Sequence, residues 1–380
     1  MSTPFSPPLE RPSGLEAEFQ TQHEFIKAAR MRLNPMIWDY LVGGTETETT
    51  LKRNRAALDR IALRPRVLVD VSRIDPARAL LGKKLRMPIL LAPVGSLESF
   101  DAGAGVTAAK AAEQYGCGMM LSSVSTLEME AVTSAAKGGL NIYQLYVRGD
   151  DAWIDERVKR AVAAGFNAYC LTVDTAVYSR RERDIAKRFA KPWRTSVPPA
   201  GVIAQARLTW KNVAHFKKAH KIPLILKGIA TAEDAKLAVE HGVDVIHVSN
   251  HGGRQLDHGR GAMDVLPEVL EVARGKAQVI VDGGFSRGTD IVKAIAMGAD
   301  AVALGRLYCY ALAAAGQAGV VRMLEILEAE VISAMGLIGV TKLDELGPRH
   351  LHVGAPAVME PSVFSAFPLL NLDDEGYGGR

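Results

Sequence analysis

The strongest constraint on the fold is a texture that repeats from residue 85 onward. Short apolar runs recur, each followed by polar or glycine residues and then by an alanine-rich amphipathic stretch. The runs are PILLAPV (88–94), GMMLSS (118–123), NIYQLYV (141–147), NAYCLTVD (167–174), PLILKG (223–228), DVIHVSN (244–250), QVIVDGG (278–284) and DAVALGR (300–306). They are apolar throughout rather than alternating, which is the pattern of strands buried on both faces of a parallel sheet. Between them, GVTAAKAAEQYG, DERVKRAVAAG, TAEDAKLAVEHG and RGTDIVKAIAMG carry helical spacing and end in glycine, as helix C-caps do. Eight such units predict an α/β fold of the TIM (β/α)8 barrel type. An open doubly wound sheet is the alternative. It would want GxGxxG after the first strand, and APVGSLESFDAGAG does not place one there.

Residues 1–14, rich in proline and serine, read as a flexible arm, and residues 15–380 as one barrel domain with a helical N-terminal segment and a C-terminal extension. Within that segment, EFIKAARMRLNPMIWDYLVGG is punctuated by Pro35 and stopped by Gly43 and Gly44. Residues 185–215 read as a long irregular loop of the kind that covers a site or moves, and the tail from 347 as a wrap around the barrel.

The net charge of +4 is mild and the basic residues are scattered apart from SRRER and HFKKAHK, so no nucleic-acid partner is expected. Cys117, Cys170 and Cys309 are widely spaced and lack partners at metal spacing. They read as buried free thiols in a reducing compartment, with no metal site. MSTPFSPPLERPSG lacks the apolar core of a signal peptide, and no apolar stretch approaches the roughly 20 residues that span a bilayer. The expectation is a cytoplasmic protein, either free or peripheral at the inner face of the membrane.

In a barrel of this kind chemistry sits at the C-terminal ends of the strands. Those ends carry Gly95, Ser122, Gln144, Tyr146, Thr172, Asp174, Lys227, Ser249, His251, Arg254, Asp282 and Arg306. DGGFSRGTD ends the seventh run and opens a helix, and LGR ends the eighth. Glycine lets backbone amides approach an anion, and the helix N-terminus adds a favourable dipole. Either loop alone could be turn chemistry; together, in those two units, they predict a phosphate-bearing ligand. Arg181 in SRRERD and Arg254 in SNHGGRQLD offer guanidinium forks for a carboxylate, against the plainer reading of two surface ion pairs. His251 could be a base, a metal ligand or a satisfied loop residue. A metal would want further ligands, and His247 is expected to point to the opposite register of its strand. Asp174 could orient the imidazole of a base. Lys227 could stabilise developing negative charge on an electron-accepting ring, or form a Schiff base.

SNHGGRQLD, with QLYV, LTVDT, RRERD, LKGI, DGG followed by RGTD, and ALGR in that order, resembles the FMN-dependent α-hydroxy-acid oxidase and dehydrogenase family over residues 24 to 360. That family includes glycolate oxidase, flavin lactate dehydrogenases and mandelate dehydrogenase. The resemblance implies oxidation of a 2-hydroxy acid, the L form, to the 2-keto acid. His251 would take the proton with Asp174 in support, Arg181 and Arg254 would hold the substrate carboxylate, and Tyr40 and Tyr146 would meet the hydroxyl or carboxylate. FMN would contact Pro93, Val94, Gly95, Ser122, Gln144, Thr172, Lys227 and Ser249. Its phosphate would lie on Asp282, Gly283, Gly284, Phe285, Ser286, Gly305 and Arg306. The α-hydrogen would pass to the flavin N5, as hydride or after a carbanion, with Lys227 favouring the anionic reduced ring. The resemblance further implies a homo-oligomer, a tetramer, and electrons passed to a quinone, a protein carrier or O2.

The chain departs from that family pattern at five places. Ser286 replaces a usual arginine, which shifts the phosphate toward Arg306 and backbone amides. Val124 replaces the tryptophan of glycolate oxidase and Tyr178 a usual leucine, which implies a substrate side chain unlike glycolate's, aromatic or extended. Gly95 replaces the alanine of many oxidases and leans toward a dehydrogenase. The 185–215 segment is short and basic rather than apolar, which favours a soluble form. Two other readings are an FMN-barrel isomerase without net redox turnover and a non-catalytic flavin-binding paralogue. The first has no use for the His251, Arg254 and Arg181 set, and the second would not need it intact.

Overall fold

The computed structural model describes residues 14–189, 199–356, 362–367 and 370. Eight parallel strands close into a barrel: β1 (Ile89–Leu91), β2 (Gly118–Ser122), β3 (Leu140–Leu145), β4 (Ala168–Thr172), β5 (Leu224–Ile229), β6 (Val245–Val248), β7 (Gln278–Val281) and β8 (Ala301–Leu304). Each pairs with its sequence neighbours, and β8 closes on β1 through Val302 to Ile89 and Leu304 to Leu91. Every predicted run coincides with one strand; β3 begins one residue before its run and β5 ends one residue beyond, and the other six are shorter than their runs. The open sheet is excluded.

Side chains alternate along each strand. Leu90, Met120, Ile142, Cys170, Ile225, Val245, Ile280 and Ala301 form one buried cluster inside the barrel, which Leu80 and Leu85 join from the hairpin Arg78–Leu80 and Lys83–Leu85. The other faces pack on the helical ring in a second, larger cluster. The pattern continues upward in the same phase, so that Ser122, Gln144, Thr172, Lys227, His247 and Ser249 are also buried. The polar residues at the mouth therefore sit on a packed apolar plug that cannot give way beneath them.

Helices Ala104–Tyr115 and Asp151–Ala164 end on Gly116 and Gly165 in the left-handed conformation, as their sequences predict. The N-terminal segment forms helices Gln22–Arg32, Pro35–Val42 and Thr49–Asp59. Pro35 opens the second of these, with Asn34 accepting from the Ile37 amide, and Gly43 ends it. The 185–215 segment, expected to be irregular, contains two helices in its described part, Pro199–Ala206 and the start of Trp210–Ala219. The second begins where Asn212 Oδ1 accepts from the Thr209 amide. From the tail, Leu351–Val353 pairs antiparallel with Ile61–Leu63. Residues 1–13 of the expected arm lie outside the described residues. None of the described helices is long and apolar enough to cross a membrane.

Candidate active site

The barrel mouth opens on a cavity of about 310 Å³, within the range of small-molecule sites. Its wall includes Tyr40, Tyr146, Arg181, His251 and Arg254 on one side and Gly283, Gly284, Phe285 and Ser286 on another, with Gly305 and Arg306 also lining it; Arg306 lies beside Arg254, both donating to the Gly43 carbonyl. Pro93, Val94, Gly95, Lys227 and Asp282 also line it. Asp174, Ser122, Gln144, Thr172 and Ser249 are not among the lining residues; the last four are buried and Asp174 is half-buried.

His251 is reached by an unusual backbone. It has φ +59°, and Gly252 and Gly253 follow at +62° and +76°. A Cβ on Gly253 would lie 2.5 Å from the Leu51 amide nitrogen, so only glycine lets this loop pass under the N-terminal helix. The turn thereby explains the paired glycines, and its strain is spent on aiming one imidazole. His251 Nδ1 lies 3.1 Å from Asp174 Oδ1, and Nε2 lies 3.2 Å from the Tyr146 hydroxyl. Burial pushes the imidazole below its usual range against the pull of Asp174, so it is neutral near pH 7. Burial would raise the Asp174 carboxyl, but the adjacent His251 and Lys227 hold it below the ordinary range. The arrangement that satisfies all three groups has Nδ1–H donating to Asp174 and the Tyr146 hydroxyl donating to Nε2. Nε2 is then unprotonated, and it acts as a base once the substrate hydroxyl takes the place of the Tyr146 O–H on its single lone pair.

The two arginines converge. Arg181 Nε donates to the Arg254 carbonyl at 3.3 Å, and Arg254 Nη1 donates to the Gly43 carbonyl at 2.8 Å. The Arg254 guanidinium lies 4.9 Å from the centre of the Tyr40 ring, whose hydroxyl donates to the Gly95 carbonyl at 3.1 Å. Among the described residues neither arginine has a carboxylate partner. Burial and the charge of Arg181 push Arg254 down to about 10. Two buried like charges left unneutralised are costly, and an arriving carboxylate removes that cost.

Lys227 Nζ donates to Ser249 Oγ at 2.9 Å and lies 3.3 Å from Asp282 Oδ2. Burial alone would lower it, yet Asp282 and Asp174 keep it an ammonium. A Schiff-base lysine needs the opposite, a depressed amine, so that alternative fails. His247 does not point to the opposite register as expected. It faces the barrel interior, fully buried, with Nε2 3.1 Å from Asp282 Oδ2.

The glycine-rich end is built differently. Arg55 forks onto Asp290 with two 2.8 Å bonds and also donates to the Gly284 carbonyl at 3.2 Å. Asp290 in turn accepts from the Ser286 amide at 3.0 Å. Asn54 and Asn250 exchange side-chain amide bonds of 2.9 and 2.7 Å alongside. Arg306, expected to face a phosphate, lines the cavity but directs its Nε, Nη1 and Nη2 to the carbonyls of Leu41, Gly252 and Gly43. Sequence reading passed over Asn54 and Arg55, because LKRNR looks like an exposed helical face until the loop after β7 is laid against it. It also passed over Gln205, which ties the helix Pro199–Ala206 to the Val147 amide at 2.6 Å and the Thr172 carbonyl at 2.9 Å.

Gly95 has a local cause. A Cβ there would lie 2.5 Å from Val124 Cγ2, so the glycine and the valine form a matched pair in the wall. No group of three or more histidine, cysteine, aspartate or glutamate side chains among the described residues is placed to hold a metal.

A base held by a carboxylate, two unneutralised guanidinium groups beside it and a glycine-lined far end define a flavin-dependent α-hydroxy-acid-oxidising barrel. The residues fit the flavin: Gln144 Nε2 donates to Thr172 while its buried Oε1 has no partner, an acceptor waiting for a ring N–H. The chain belongs to the FMN-dependent dehydrogenase family, whose pattern it matches over residues 29–353. It is 40% identical to an L-lactate oxidase of Nostoc sp. over 354 residues, covering 87% of this chain and 97% of the relative. It is also 40% identical to glycolate oxidase 5 of Oryza sativa subsp. japonica, over 86% of this chain and 94% of that one. Among solved structures, a mandelate oxidase with (S)-2-phenylpropionate superimposes with a TM-score of 0.81 at 36% identity, covering 89% of this chain and 99% of that one. The cofactor is FMN and the reaction is oxidation of a 2-hydroxy acid; the isomerase and non-catalytic readings are not favoured.

Proposed function

We propose that the chain oxidises a 2-hydroxy acid larger than glycolate, the L form, with His251 as base and O2 as the final electron acceptor. The observation that carries this reading is the meeting of His251, Arg181 and Arg254 on one cavity wall. The substrate carboxylate docks on Arg181 and Arg254, and Tyr40 and Tyr146 bracket it. His251 Nε2 takes the hydroxyl proton, and Asp174 stabilises the imidazolium that results. FMN, when bound, supplies the two-electron acceptor for the α-carbon. Gln144, Thr172, Ser122, Ser249 and the Pro93–Gly95 turn are assigned to its ring, and the loops after β7 and β8 to its phosphate. Lys227 holds a positive charge beside the site, where negative charge develops on reduction.

The lean of Gly95 toward a dehydrogenase loses its force, since Val124 already demands glycine there, and the relatives are named as oxidases. The balance is one 2-hydroxy acid and one O2 giving one 2-keto acid and one hydrogen peroxide. Stoichiometric peroxide in air supports it, and rapid turnover only with a quinone or protein carrier contradicts it. Val124 and Tyr178 in the wall support an aromatic or extended substrate side chain; glycolate as best substrate would overturn that part. Residues 15–380 are taken as one FMN-binding domain, in a cytoplasmic homo-oligomer. The exposed apolar group Val67, Leu68, Val69 and Leu337 favours self-association, which light scattering on the purified protein tests.

A further inference from the structure

Once carboxylate and hydroxyl are placed on Arg181, Arg254, His251 and Tyr146, the remaining substituent of the substrate extends along the rest of the cavity wall. Those four residues come from the ends of β3, β4 and β6. The rim they leave open is made by the loops after β2 and β3, which are tied together where the Tyr146 amide donates to Ser123 Oγ at 3.0 Å. The next residues on these two loops are Val124 on one and Val147 and Arg148 on the other, and all three line the cavity. Val124 and Val147 give the rim an apolar floor. Arg148 gives it a charge.

Arg148 is half-buried, and among the described residues it has no hydrogen bond and no ion pair. Its acidic neighbours are engaged elsewhere: Glu130 pairs with Arg160, and the Asp150 carboxylate caps the Trp153 amide, while Arg157 stacks on Trp153. Burial lowers the Arg148 guanidinium from its ordinary value, and the charge of Arg157 adds to this. Residues 185–232 supply no counter-charge, because the sequence has no aspartate or glutamate there while lysines and arginines recur; among the described residues Asp174, Glu182 and Asp184 make no ion pair with Arg148. A guanidinium kept on a cavity wall, partly desolvated and unneutralised, is a binding group waiting for an anion.

We propose that Arg148 is a specificity-determining residue that binds a second carboxylate, at the far end of the substrate side chain, so that the preferred substrates are 2-hydroxy dicarboxylic acids. This rests on the reading of the site as a 2-hydroxy-acid oxidase and names its substrate class. The first carboxylate is held by Arg181 and Arg254, the apolar spacer crosses Val124 and Val147, and the second carboxylate meets Arg148. The contact is made equally before and during the chemical step, so it acts on KM rather than kcat.

The test uses the FMN-loaded protein and paired acids of equal length: malate, 2-hydroxyglutarate and 2-hydroxyadipate against 2-hydroxybutanoate, 2-hydroxypentanoate and 2-hydroxyhexanoate. At least one dicarboxylate is expected to exceed its neutral counterpart in kcat/KM by roughly ten- to a hundredfold, the worth of a charge-assisted bond. Arg148→Gln should raise KM for that dicarboxylate and collapse the ratio. Binding without turnover gives a second readout: 2-oxoglutarate should perturb the flavin spectrum at lower concentration than 2-oxopentanoate, and Arg148→Gln should remove the difference. Neutral acids equal to or better than dicarboxylates at every length, or a ratio that survives Arg148→Gln, overturns the assignment while leaving the oxidase reading intact. Failure of all six acids to bleach the flavin overturns both.

Discussion

The two ends of the cavity are built on opposite principles. At the reacting end, side chains from β3, β4, β6 and the N-terminal helix converge with their charges unneutralised: Arg181 and Arg254 have no carboxylate among the described residues, and His251 is neutral. At the glycine-rich end the charges are already satisfied. Arg55 is bound by Asp290 and Asp59, and Arg287 by Glu330; Arg306, which shares the Gly43 carbonyl with Arg254, sits beside the reacting end. One end is held open for a ligand that comes and goes at every turnover, and its buried charges wait for that ligand. The other is a rigid frame whose backbone is braced from behind, which suits a cofactor that stays.

The largest break in this contrast is His251→Gln. It should slow flavin reduction by roughly 10²–10⁴, the usual worth of a positioned base, with FMN content near that of the parent. Stopped-flow reduction and the absorbance ratio of the purified protein read the two quantities separately. Asp290→Ala attacks the other end. It leaves the buried Arg55 with Asp59 as its remaining carboxylate, and should lower the stability in denaturant unfolding and loosen FMN, while each flavin still bound is reduced at near-parental rate. Arg254→Lys keeps the charge but loses the fork, and should raise KM by roughly ten- to a hundredfold. Ser286→Arg adds a cation where those present are committed, and should tighten FMN by roughly tenfold, read by fluorescence titration of the apoprotein.

The smallest effect is on pH dependence. The base works when neutral, and burial lowers His251 from the ordinary 6.5, so the acid limb of kcat/KM should fall below pH 6.5. Asp174 opposes that shift, so Asp174→Asn should move the limb to still lower pH while slowing the reaction. A limb above pH 6.5 in the parent would mean the imidazole is charged at rest.

The same contrast explains what could be read in the sequence. The strands were legible because burial on both faces forbids alternation, and the reacting end because SNHGGRQLD concentrates a base, an arginine and a strained turn in nine letters. Arg55 was not legible, since its partner Asp290 is 235 positions away and neither residue looks unusual where it stands. Arg306 showed its place but not its bonds, because backbone carbonyls leave no trace in a sequence. His247 was misjudged for a physical reason. Its strand continues the interior phase of Val245, so a polar side chain among apolar neighbours still points inward when Asp282 is there to receive it. The helix Pro199–Ala206 hid behind prolines that read as loop, although proline at a first helical position is a start signal.

The account stands or falls on one cavity serving both flavin and hydroxy acid. The most direct test is to mix the FMN-loaded protein with an excess of L-2-hydroxy acid in the absence of O2 and to measure flavin colour and keto acid together. The account predicts rapid bleaching with one 2-keto acid formed per flavin, abolished on the same timescale in His251→Gln. A flavin that stays oxidised across the whole panel of acids, or that bleaches equally fast without His251, would contradict it.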